Sequence, residues 1–261
     1  MDECMRKQVY EILLMPIKCD KYKYNQVYRQ DDVIYTGQQY EKCSDADMSE
    51  FAIGYYEIIY RSVLGSNRIL LDDGSLRSYE FAGDTMNSFN TVANKVPGAG
   101  KSKKERKTIP RNVWPQHLQK YELNYHCLAN FWLLPLEVGR TGKPMSKASV
   151  AKDYMDRFLK FYRANSKLYK EKYKEYFLGF GEFEKFAERH FLIGNKDNEN
   201  KKNNVNENMQ IEIYSTPIEN GEGFIQQAQE MMKCRAESIS KSEYAELLWE
   251  YFKEKNVLKN P

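Results

Sequence analysis

Two of the three histidines and two of the three tryptophans of this 261-residue chain fall in one stretch, residues 108–140, TIPRNVWPQHLQKYELNYHCLANFWLLPLEVGR. Imidazole exchanges its proton near neutral pH and ligates metals readily, so special chemistry is expected here first. His126 and Asn130 stand four apart, the spacing that sets two side chains on one face of a helix. Asp84 and Asn87 start a second expected helix, and Asp153 and Asp156 lie three apart on a third. Brought into one pocket, His126 would act as general base beside Asn130, Asp84 and Asn87, with Asp153 and Asp156 holding a divalent metal ion. The same residues admit a structural account. Asp84 is then an N-cap worth about 1 kcal/mol, His126 and Asn130 are hydrogen-bonded core groups, and Asp153 and Asp156 are solvated charges favoured by a helix dipole.

Neighbouring spacings suggest phosphate chemistry. Val96-Pro97-Gly98-Ala99-Gly100-Lys101-Ser102 approaches a phosphate-binding loop, but Lys95 stands where that motif needs glycine and a helical pattern precedes it where a strand is required. Arg111-Asn112 followed by His117 is spaced as in small helical ribonucleases, with Pro115 between them to break the helix. Residues 101–107 carry five basic side chains and one acid. Lys103, Lys104, Arg106, Lys107 and Arg111 are therefore the expected nucleic-acid contacts, the alternative being a solvated linker.

Composition limits the classes. Forty Lys+Arg against 37 Asp+Glu leave a net charge of only +3, so any nucleic-acid surface must be local. With 41% hydrophobic and 14% aromatic residues, among them 20 Tyr, the chain can fill a core without staples. Cys4, Cys19, Cys43, Cys127 and Cys234 are odd in number and widely scattered, which argues against a zinc site or a disulfide framework and fits reduced thiols. The apolar patch before Ile17 is broken by Pro16, and no run approaches the roughly 18 apolar residues of a spanning helix. A cytoplasmic protein with no membrane association is expected.

The elements that must position these groups follow from periodicity. Residues 47–64 read as a helix with Asp47 as cap and Phe51, Tyr55, Ile58, Ile59 and Val63 on one face. Residues 68–81 suggest a small hairpin around Asp72-Asp73-Gly74, and Asp84 then caps a helix carrying Met86, Phe89, Val92 and Ala93. Residues 149–176 and 182–191 read as helices, 195–208 as an exposed Asn-rich loop, and 210–215 as a short strand. Residues 223–238 and 240–255 read as two amphipathic helices, the second capped by Ser240 or Ser242.

Two family likenesses can be stated. Gly83-Asp84-Thr85-Met86-Asn87-Ser88-Phe89, the 126–135 segment His-Cys-Leu-Ala-Asn-Phe-Trp-Leu-Leu-Pro, Lys152-Asp153-Tyr154-Met155-Asp156 and Glu182-Phe183-Glu184-Lys185-Phe186 resemble, in order, the signature blocks of a bacterial domain family of unknown function. This likeness implies a bacterial single-domain protein and supplies no mechanism. Pro115-Gln116 with Asn130 to Leu134 more distantly resembles the HNH nuclease domain of GmrSD-type restriction systems, with Val113-Trp114 in place of that family's histidine. It implies a metal-dependent nuclease of a defence or mobile-element system.

The expectation is thus one mainly α-helical domain over residues 1–261, with a minor β-hairpin or small sheet and exposed loops near 97–108 and 195–208. Two functions stay open. One is a divergent metal-dependent nuclease or phosphodiesterase using a divalent ion; the other is a non-enzymatic module binding a protein or nucleic-acid partner.

Overall fold

The computed structural model describes residues 1–24, 26–38, 45–64, 81–94, 96–135, 187–192 and 221–259. The expected metal ligands Asp153 and Asp156, the helical segment 149–176, the loop 195–208 and the strand 210–215 lie outside the described residues.

Helix α1 (Glu3–Leu14) starts where Asp2 accepts the backbone N–H of Met5 at 2.8 Å, and it stops before Pro16. Val9, Ile12 and Leu13 are its buried stripe. The chain then runs extended as β1 (Ile17–Tyr24), turns into β2 (Val27–Gln30), and returns through β3 (Val33–Gln38). These form one sheet of order β1-β3-β2, parallel between β1 and β3 and antiparallel between β2 and β3. Asp31 takes the left-handed turn conformation at φ 54, tolerated by aspartate, that closes the β2–β3 hairpin.

A 3-10 turn at Ala46–Met48 leads into α2 (Glu50–Ile59) and the short α3 (Arg61–Leu64). Ser49, not Asp47, caps α2, its hydroxyl accepting from Ala52 N–H at 3.2 Å. Strand β4 (Phe81–Thr85) pairs antiparallel with β5 (Phe131–Pro135), placing Asp84 opposite Trp132. Between them come α4 (Phe89–Ala93), α5 (Lys103–Arg106), a 3-10 turn at Arg111–Val113, α6 (Gln116–Asn124) and a 3-10 turn at Leu128–Asn130. The C-terminal helices are α7 (Gly221–Ser240) and α8 (Ala245–Glu254). Ser242 accepts from Tyr244 N–H at 3.2 Å just ahead of α8.

One buried cluster joins α1, α2, both strands of the second sheet, α6, α7 and α8. It is unusually aromatic: Phe51, Tyr55, Tyr56, Tyr60, Phe81, Tyr121, Phe131 and Trp132 are its largest neutral members. Gly83 is required by this packing, because a Cβ there would strike the Asp47 carbonyl and the Tyr56 ring.

The expectation of a mainly α fold is corrected. Helix takes 57% and strand 16% of the described residues, in a three-stranded and a two-stranded sheet, so the fold is mixed α/β. Two patterns concealed the strands. In β1 the polar Lys18 and Asp20 alternate with Ile17 and Cys19, a period-2 signal diluted by charge. In β5 the unbroken apolar run Phe131 to Leu134 has no period at all, and it becomes a strand only by pairing with β4.

Candidate functional site

The residues expected to carry chemistry sit where β4 passes β5. Asn130 ends its 3-10 turn with the main chain fixed by Met86 N–H, which donates to its carbonyl at 2.8 Å. Its side-chain amide donates to Tyr125 O at 2.7 Å and Asn87 O at 3.3 Å, and the Tyr121 hydroxyl also donates to Asn87 O, at 3.0 Å. Asn87 and Asn130 are both fully buried. This is a polar box that ties α6 to the β4–α4 connection. The Asn130 Oδ1 within it has no hydrogen-bond partner among the described residues.

His126 lies one residue beyond Tyr125, in an irregular segment and not on the helix expected from its spacing to Asn130. Its carbonyl accepts from Ile17 N–H at 2.7 Å, anchoring the start of β1. Its ring packs 4.0 Å from the Tyr125 ring and edge-on to Phe131 at 5.9 Å. Burial lowers its pKa to about 4, with the Asp45 charge opposing only in part. The imidazole is therefore uncharged at neutral pH.

Asp84 belongs to a strand instead of capping a helix; its Oδ1 accepts from Thr85 N–H at 2.9 Å, and the residue is buried. Burial pushes the Tyr56 phenol well above its usual range, and the charges of Asp47 and Asp84 add to that push, so both carboxylates stand within electrostatic reach of Tyr56. The structure thus joins Asn87 to Asn130 directly and His126 to them through Tyr125, while the hydrogen bond from Thr85 N–H to Asp84 lies within its own strand. Among the described residues no three His, Cys, Asp or Glu side chains group as a metal site.

The basic segment is organised by one of its own cations. Arg106 is 4% exposed, and its guanidinium donates to the side chains of Asn94 and Asn90, to Asn90 O at 3.3 Å and to Gly100 O at 3.4 Å. It clamps residues 100–106 onto α4 and is not on the exposed basic face. Ser102 caps α5 by accepting Glu105 N–H at 3.2 Å, and Glu105 in turn accepts Lys101 N–H at 2.8 Å. The Lys101 amide that a phosphate-binding loop would offer to its ligand is thereby taken by the chain's own carboxylate. Gly98 and Gly100, at φ +84 and +85, allow the loop to fold this tightly.

With Arg106 inside, Lys101, Lys103, Lys104, Lys107 and Lys120 remain exposed, as does Arg111, which pairs with Glu122 at 2.9 Å. His117 is half-buried in the first turn of α6, and its Nε2 has no hydrogen-bond partner among the described residues.

Sequence reading missed a third cluster. Arg235 of α7 is fully buried and donates to His190 O at 2.8 Å, Leu128 O at 3.1 Å, Ala129 O at 3.0 Å and the Tyr60 hydroxyl at 3.2 Å. The Tyr60 hydroxyl also shares a hydrogen bond with His190 Nδ1, 2.7 Å away. Burial and the adjacent guanidinium both hold the His190 pKa well below the usual imidazole range. A signal was present in the sequence, for Arg235 falls in step with Ala228, Met231, Met232 and Ile239 on the apolar stripe of α7.

Two open grooves of about 770 Å³ each flank Lys253 and Asn256 at the end of α8, and neither is lined by a residue of these clusters. No helix of the described residues is long and apolar enough to cross a membrane. Comparison with protein-family models, curated proteins and solved structures finds no match. The likenesses to the bacterial domain family and to the HNH nucleases rest on the quoted residues alone.

Proposed function

We propose that this protein binds nucleic acid through the exposed cations of residues 101–120, without turnover. The carrying observation is that Lys101, Lys103, Lys104 and Lys107 are exposed on a segment held in place from within by Arg106, with Lys120 exposed on α6. Residues 96–124 contain seven basic and two acidic side chains, a local charge of +5 that leaves the rest of the chain at −2. Such a patch attracts phosphates locally on a nearly neutral protein. Replacing Lys103, Lys104, Lys107 and Arg111 by glutamine is expected to weaken binding to nucleic acid at low salt at least tenfold in an anisotropy titration. Wild-type binding that ignores salt concentration overturns the reading.

A metal-dependent nuclease is the second reading, supported by the placing of the His126 ring against Tyr125, whose carbonyl belongs to the polar box of Asn130 and Asn87. A general base works best with a pKa near the operating pH, and His126 sits at about 4. That mismatch ranks this reading second. Divalent-metal-dependent cleavage of plasmid DNA, abolished by His126→Ala in a protein that still folds, would reverse the order.

A further inference from the structure

We infer that the basic face takes a nucleic-acid double helix by its phosphates and discriminates against single strands, an inference that rests on the binding function proposed above. Single-strand binders gain about 1–3 kcal/mol for each base stacked on an exposed ring. Among the described residues the rings beside the cations pack on one another and are buried or half-buried. Trp114 is buried and stacked on Phe89 at 6.1 Å, Tyr125 packs on Phe89 at 5.6 Å and on His126 at 4.0 Å, and Tyr121 is buried with its hydroxyl bonded to Asn87.

The large apolar side chains exposed on this segment are aliphatic: Val113 at 60% and Leu123 at 54%. Neither offers a π-face to a base. What the surface does offer is charge on fixed backbone. Lys103 and Lys107 flank the clamped Arg106, Lys101 is held by Glu105, and Lys120 projects from α6, to which the Arg111–Glu122 pair links the 3-10 turn. A duplex has already stacked its bases and presents phosphates at about one per 1.7 Å of axis, so it returns more for each such cation than a single strand does. The same loop gives its Lys101 amide to Glu105, so that donor is not offered to an isolated phosphate, and the exposed lysine side chains carry the attraction for a row of them.

The test is a fluorescence-anisotropy titration of the intact protein with a duplex of about 20 base pairs and, separately, each of its single strands, from about 50 to about 200 mM salt. Tighter binding to the duplex is expected, with log K falling against log salt at a slope of about −4.5, a loss of about 500-fold over that range if the five exposed lysines each neutralise one phosphate. A variant carrying Lys101→Gln, Lys103→Gln, Lys104→Gln and Lys107→Gln, with its circular dichroism unchanged, should flatten the slope to near that of one contact. Equal or tighter binding of the single strands overturns this inference and leaves the binding function standing. Absence of salt-dependent binding to either form overturns both.

Discussion

Arg235 and Arg106 are both buried guanidinium groups, both held by uncharged oxygens, yet they hold very different things. Arg235 joins three main-chain carbonyls and a phenol from α3's neighbour Tyr60, the 3-10 turn before β5 and the turn at His190. Arg106 joins two asparagines and two carbonyls, all within residues 90–100. The planar fork suits both tasks, since it offers five donors in fixed directions. The difference is sequence separation. Arg235 ties together segments up to 175 residues apart, so its loss is felt by the whole core, whereas Arg106 closes a loop of at most 16 residues and its loss should stay local.

The largest expected effect tests the first half of that contrast. Arg235→Met keeps the length and removes every guanidinium donor, stripping that contact from the buried carbonyls of Ala129 and His190 and from Leu128 O, which keeps only its bond from Phe131 N–H. Each such group costs about 1–3 kcal/mol, partly offset by relief of the guanidinium's own desolvation, for a net loss of about 3 kcal/mol. Urea denaturation reads it directly. A loss under about 1 kcal/mol would mean that Arg235 fills space and does not organise the core.

Acid should separate the same two regions. His126 has a folded pKa of about 4 against about 6.5 unfolded, and His190 is lowered in the same direction by burial and the adjacent Arg235. The unfolded chain then binds more protons below pH 6.5, so the imidazoles cost the fold nothing above that pH and destabilise it progressively as pH falls toward 4. For His126 the loss is on the order of 2 kcal/mol across that window, and His190 adds to it in the same direction. His126→Phe, which keeps the ring contacts with Tyr125 and Phe131, should flatten the stability profile between pH 6.5 and 4. A variant with an unchanged profile would show that His126 is solvated in the native state.

These contrasts explain what was legible in the sequence. The C-terminal helices were expected at 223–238 and 240–255 and lie at Gly221–Ser240 and Ala245–Glu254, because a 3.6-residue stripe survives any tertiary context. The strands were not legible, because β5 is apolar on both faces and β1 is interrupted by charge. In the candidate site, Asn87 and Asn130 are expected on two helices facing one pocket, whereas Asn130 reaches the Asn87 carbonyl from a 3-10 turn. Arg106 and Arg235 defeated the reading in opposite ways: one was counted with the exposed cations because its neighbours are exposed, the other passed over because a single arginine does not spoil an amphipathic helix. Charge alone cannot say which cation has found enough acceptors to be buried.

Local effects should follow on the Arg106 side, in decreasing size. Arg106→Met should cost about 2 kcal/mol, since the freed asparagines can turn to water, and amide exchange should quicken in residues 96–110 while α7 stays protected. Equal quickening in α7 would break the contrast with Arg235. Smaller still is Ser102→Ala, which removes the hydroxyl that accepts Glu105 N–H and should cost about 1 kcal/mol. Its value lies in what it does to binding. The cations themselves are untouched, so if the loop's rigidity matters, Ser102→Ala weakens duplex binding with an unchanged salt slope; if affinity depends on charge alone, binding is unaltered and Arg106 is only a structural clamp.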